Sequence, residues 1–214
     1  MVCTLDKNNV VNIKKALKVL GKKNLVFIMH NGSFPAESGE NTGFGTINST
    51  AGKKFIDYAA GLFDAIQMGP AGKTKSSDSS PYCGTIFSNN PLFIDLKQLT
   101  TDKWKNILSV ETFNEIVENN PNKDTNKTSY SYAVKQYARA LSEAYDNFVK
   151  LNDKQIMAEF EAYKQENDSW LDKDSLYEAL SIEHGNDYWY SWKSETDKNL
   201  FNPKSNEEKM AFGN

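Results

Sequence analysis

The residues best placed to do chemistry lie between Met68 and Leu96. Met68-Gly69-Pro70-Ala71-Gly72 is followed by a Ser/Lys-rich loop and Asp78-Ser79-Ser80-Pro81-Tyr82. After Gly84 the stretch closes with Asn89-Asn90-Pro91-Leu92-Phe93-Ile94-Asp95-Leu96. The short apolar run Ala65 to Met68 leads into it, which predicts a buried strand opening at its C-terminal end into a long polar loop. Such loops are where α/β proteins place ligands. Tyr82 stands between Pro81 and Gly84, which leave little helix or strand around it, so it is a candidate binding residue with Ser80 beside it; the alternative is a core tyrosine. His30 ends an earlier apolar run, and either faces the same cleft or is a satisfied structural histidine.

Ala71-Gly72-Lys73-Thr74 also looks like the end of a phosphate-binding loop. That motif needs a glycine where Gln67 stands and a helix after the Lys-Thr pair, whereas Ser76 to Pro81 is turn-forming. Nucleotide binding is therefore the weakest reading. Asp64 and Asp95 flank apolar runs and read as structural, Asp78 as holding a turn, and Asn90 as bracing the loop. Two separated histidines and the lone Cys3 and Cys83 form no metal constellation, and no cofactor is expected.

The elements that must position these residues begin with a helix over Asn9 to Leu20, apolar at Val10, Ile13, Leu17 and Leu20 and stopped by Gly21. A buried strand over Asn24 to Met29 empties into His30-Asn31-Gly32-Ser33-Phe34-Pro35. Phe55, Tyr58, Ala59 and Phe63 stripe the next helix. Helix–strand alternation to Met68 predicts parallel strands. From Leu96 onward the pattern is helical. A long amphipathic helix runs from Tyr130 to Phe148; a second, capped by Asn152 and Gln155, bears Ile156, Phe160 and Tyr163; a third runs from Trp170 to Leu180 and ends near Gly185. Asn119 to Lys127 reads as a polar linker. His184 is expected to cap carbonyls, and Tyr188-Trp189-Tyr190-Trp192 to glue the helical part to the preceding strand–helix part or to bind a ligand at the surface. Ser205-Asn206-Glu207-Glu208 starts a last helix.

Composition sets the outer limits. The 214 residues are 39% hydrophobic, enough for a core, and carry a net charge of -3, which gives no basic field for nucleic acid. No apolar leader or membrane-spanning run is present in the sequence, and two cysteines are too few for a disulfide framework. A reducing cytoplasm is expected, so the Asn-x-Ser/Thr matches at Asn48 and Asn126 are chance products.

Gly69-Pro70-Ala71-Gly72, Asp78 to Tyr82, Asn90-Pro91 and Ile94-Asp95, in this order, resemble the loop after the second barrel strand of 4-α-glucanotransferases, the amylomaltases and disproportionating enzymes of glycoside hydrolase family 77. The His30 to Pro35 segment and the Gly43-Phe44-Gly45 turn are similar to that family's first-strand loop. Ala71 stands where the family has Thr, Asn89 where it has Gly, and Lys73 or Thr74 where it has an extra glucan-contacting Tyr. The resemblance, running from about Leu25 to Phe201, implies an α/β fold: the N-terminal part of a (β/α)₈ TIM barrel with an α-helical insertion subdomain. Residues 1–96 would form the first barrel units, 97–200 the insertion, and 201–214 a helix leading back to the barrel. It implies transfer of α-1,4-glucan segments between maltodextrins through a covalent intermediate, with Tyr82 under the reacting sugar. The family's catalytic carboxylates belong to later strands, so no catalytic residue is placed on this chain, which is expected to be a piece of a longer enzyme, poorly folded and inactive by itself. The alternative is a non-catalytic glucan-binding protein of the same fold.

Overall fold

The computed structural model describes residues 7–76, 78–85, 88–125 and 127–199; the expected helix after Ser205 lies outside them. Contacts divide the chain into two units, Met1–Asn152 and Asp153–Asn214.

The first unit starts with α1 (Lys7–Val19), stopped at Gly21, where φ is +64° and the Lys22 amide reaches back to the Leu17 carbonyl at 2.8 Å. β1 (Val26–Met29), α2 (Thr50–Ala60) and β2 (Ala65–Met68) form a strand–helix–strand unit. The strands pair in parallel, Phe27 opposite Ile66. Asp64 braces their start: its carboxylate accepts from the Leu25 amide at 2.7 Å and its amide donates to the Leu25 carbonyl at 2.9 Å. Phe27 packs on Phe55 of α2 and on Phe63, with ring centroids 5.8 and 5.1 Å apart.

Both strands depart from the expected full burial. Side chains alternate across a strand, and only one face of this sheet is covered. Phe27 turns inward, whereas Ile28 stays 69% exposed and Val26 and Met68 are also exposed. The largest core of this unit lies instead among helices α3 (Leu96–Leu99), α4 (Val110–Glu118) and α5 (Tyr130–Leu151). There Leu96, Leu108, Ile116, Ala133 and Ala140 are sealed from solvent and Leu92 joins them. Asp95 caps α3 through the Lys97 amide at 3.2 Å, and Ser109 caps α4 through the Thr112 amide at 3.1 Å. The segment read as a polar linker is anchored: buried Asn120 accepts from the Ser129 hydroxyl at 2.8 Å and donates to the Asn41 carbonyl at 3.2 Å.

Tyr137 of α5 is 2% exposed; its hydroxyl lies 3.0 Å from the Thr42 hydroxyl and donates to the Ile94 carbonyl at 3.3 Å. Burial pushes the phenol up to about 12 from its usual 10, against the opposing pull of the Thr42 bond. A raised folded value means that stability is intact below about pH 10 and is lost as pH climbs toward 12, by up to about 3 kcal/mol. Urea midpoints are expected to fall between pH 9.5 and 11.5 (a range of about two units), and Tyr137→Phe should flatten that slope. An equal slope in both proteins would show that Tyr137 does not drive it.

The second unit contains α6 (Lys154–Glu166), α7 (Asp168–Glu183) and α8 (Glu195–Lys198). The cap of α6 is Asp153, whose carboxylate accepts from the amides of Gln155 and Ile156, and not the expected Asn152. Asn152 sits at φ +47° and ends α5. Leu180 and Trp192 form the core here. His184 does not cap carbonyls with its ring. It stacks on Trp192 at 4.8 Å and 12° and bonds Asp197 at 2.8 Å. Tyr188, Trp189 and Tyr190 are exposed.

Among the described residues, no helix is long and apolar enough to cross a membrane.

Candidate functional site

The C-terminal ends of β1 and β2 lie side by side because the strands are parallel, with Met29 opposite Met68. The next residue in each chain direction sets up the site. His30 leaves β1 with an exposed ring. Gly69 leaves β2, and a Cβ there would run into the His30 Nδ1. Glycine at 69 therefore lets the histidine ring lie across the end of the second strand.

The polypeptide then makes a long excursion and returns. At its neck Gly72 pairs antiparallel with Asn89, the Lys73 amide donates to the Ser88 carbonyl at 2.8 Å, and the Asn90 amide donates to the Ala71 carbonyl at 2.8 Å. A Cβ on Gly72 would collide with the Thr85 carbonyl oxygen, so the two limbs approach as closely as backbones can. No helix follows Lys73-Thr74: the segment is extended and paired with the returning limb. Gly72 thus serves close backbone packing, and the helix N-terminus that a phosphate loop requires is missing here.

At the tip, Asp78 accepts from the Ser80 amide at 2.9 Å, holding the turn expected of it. Pro81 opens a single 3₁₀ turn, Pro81–Cys83, closed by the Cys83 amide on the Ser80 carbonyl at 3.2 Å. This turn presents Tyr82, which is 73% exposed. Tyr82 is therefore not a core tyrosine of the described chain. Its ring stands edge-on to His30, centroids 5.9 Å apart at 86°. The two exposed side chains meet at nearly a right angle and make an open corner of a tyrosine and an imidazole ring. Such a corner suits a ligand with one apolar face and a hydroxyl rim, which is the surface of a pyranose. Ser80 is half-buried two residues before the ring. Asn90 is buried, its side chain accepting from the Leu92 amide at 3.0 Å, and it braces the returning limb.

The family model described as 4-alpha-glucanotransferase, glycoside hydrolase family 77, matches residues 30–211. The chain belongs to this family. A 4-alpha-glucanotransferase of Clostridium butyricum is 29% identical to it over 170 residues, covering 78% of this chain and 31% of the relative. The chain thus spans about a third of the length of that curated relative. The family match begins at His30, the first residue of the corner just described.

A second concavity, with a volume of about 590 Å³, lies between the first-strand loop (Phe34, Phe44) and residues 125, 127 and 128.

Proposed function

We propose that this protein is a 4-α-glucanotransferase that moves α-1,4-glucan segments between maltodextrins with retention, through a covalent glucosyl–enzyme intermediate and without a cofactor. The observation that carries the reading is the exposed, edge-paired Tyr82–His30 corner, at the strand ends where the family match begins. Tyr82 is the platform for the apolar face of the sugar at the cleavage point, His30 a hydrogen-bonding partner for its hydroxyls, and Ser80 a further polar contact. No carboxylate on this chain is assigned to catalysis, and a retaining mechanism needs two about 5 Å apart. Residues 1–96 are read as the opening units of a (β/α)₈ barrel, 97–200 as a helical insertion and 201–214 as a return helix. The open face of the sheet, with Ile28 and Met68 exposed, supports that reading, since a barrel would cover it. A cytoplasmic setting belongs to the same proposal and accords with Cys83 as an exposed free thiol.

The test is incubation of the full gene product with maltotriose. Glucose should accumulate together with longer maltodextrins, and the 214 residues alone should produce neither. Binding of maltoheptaose without any redistribution of chain length would favour the non-catalytic alternative, for which the exposed Tyr188, Trp189 and Tyr190 supply a second aromatic surface.

A further inference from the structure

The excursion that carries Tyr82 is held at its neck by backbone pairing, but the tip lies well beyond the neck. The side chain of Tyr130, from another element, reaches into it. Tyr130, the first residue of α5, places its hydroxyl 2.6 Å from the Lys75 carbonyl, 2.8 Å from the Thr74 hydroxyl and 3.3 Å from the Asp78 carbonyl.

The directions of these bonds follow from the groups themselves. The Asn90 side-chain oxygen accepts from the Leu92 amide, so its nitrogen faces Thr74 and donates to that hydroxyl at 2.9 Å. A phenol has one hydrogen, and the carbonyls of Lys75 and Asp78 can only accept. Tyr130 therefore donates to the Lys75 carbonyl, its shortest contact, and the Thr74 hydroxyl donates to Tyr130. The result is a one-way chain: Asn90 amide to Thr74 hydroxyl to Tyr130 hydroxyl to Lys75 carbonyl. Each donor in such a chain is polarised by the next acceptor, which strengthens the whole.

The anchor end is rigid. Ser129, just before Tyr130, donates its amide to the Gly43 carbonyl at 2.6 Å, and its hydroxyl is held by buried Asn120. The Tyr130 ring packs edge-on against Phe44 at 6.0 Å. The Asp78 carboxylate in turn holds the Ser80 amide, two residues from Tyr82.

We propose that Tyr130 is a positioning residue: through its hydroxyl it fixes the limb from Thr74 to Asp78 and so sets where Tyr82 stands for the glucan. This deepens the reading of Tyr82 given above and rests on it. Tyr130 touches no sugar; it acts by keeping the platform in place.

Tyr130→Phe keeps the ring on Phe44 and removes only the hydroxyl; Thr74→Val removes the next link with little change in shape. In the full gene product, amide exchange over residues 78–85, followed by mass spectrometry, should speed up in both variants by about tenfold or more, while α4 exchanges as before. KM for maltotriose should rise about three- to tenfold with kcat within about twofold, because a displaced platform weakens sugar binding throughout. Unchanged exchange over 78–85 in both variants would overturn the tether. Faster exchange with unaltered KM would overturn its role in positioning. Tyr82→Ala in parallel separates the two layers. If that variant keeps wild-type kinetics, the platform reading fails, and the exchange data still decide whether Tyr130 holds the loop.

Discussion

Tyr82→Ala is expected to lower kcat/KM for maltodextrins about tenfold to a hundredfold, while the melting temperature barely moves. The lost aromatic contact is worth on the order of 1–3 kcal/mol, and each 1.4 kcal/mol is a factor of ten in rate. The fold has little stake in the ring, which is 73% exposed and touches His30 edge-on. A core tyrosine would behave in the opposite way, with roughly 3–5 kcal/mol of stability lost and chemistry intact in the folded fraction. Tyr82→Phe should be close to wild type, since the face survives without the hydroxyl. Steady-state kinetics and thermal melts on the same two variants separate these outcomes. A large drop in melting temperature with normal kcat/KM would remove Tyr82 from the site.

Glu40→Ala is expected to produce the largest loss of stability among the carboxylates of the first unit. Glu40 is only 7% exposed and receives three backbone donors: the Glu37 and Ala51 amides, each at 2.9 Å, and the Thr50 amide at 3.1 Å. Thr50 and Ala51 open α2, so this carboxylate neutralises the unpaired N–H groups at that helix start, beside the Ser49 cap. Burial alone would raise its pKa; the donors outweigh burial and hold it below the usual 4.5. A lowered folded value means that the stabilisation is present above about pH 4.5 and is lost as pH falls through the folded value. Removing the carboxylate should cost roughly 2–4 kcal/mol, or about 5–15 °C in melting temperature for a unit of this size. Glu40→Gln should cost less and flatten the acid limb. A buried carboxylate with a shifted pKa near a site could be mistaken for a catalytic group. The capping role predicts that Glu40→Gln keeps normal turnover in its folded fraction. Wild-type stability with abolished turnover would reverse that assignment.

Local signals made much of the architecture legible in advance. Ala65 to Met68 is a strand with the expected bounds, and Gly21 and Gly185 stop helices at positive φ as their type and place suggest. Tyr130 to Phe148 forms the long helix that its spacing implies. Asp64, Asp78 and Asn90 do the structural work that their positions beside strands and turns indicate. Hidden were pairings between residues far apart in sequence. The Tyr130–Thr74 bond spans 56 positions, and nothing in the helical stripe of α5 marks its first tyrosine as a loop tether. Burial was also misjudged for β1, because an apolar run shows that both faces could be covered but not that they are. The cap of α6 shifted by one residue, since Asn152 was taken up by the left-handed end of α5. His184 found Asp197 and Trp192 across a turn that the sequence does not describe.

The most direct measurement of the central claim is a crystal structure of the full gene product with maltoheptaose bound. The account predicts one pyranose ring lying with its apolar face on the Tyr82 ring, and a hydroxyl of that sugar within hydrogen-bond distance of His30. Glucan bound elsewhere, with Tyr82 and His30 both facing solvent, would contradict it.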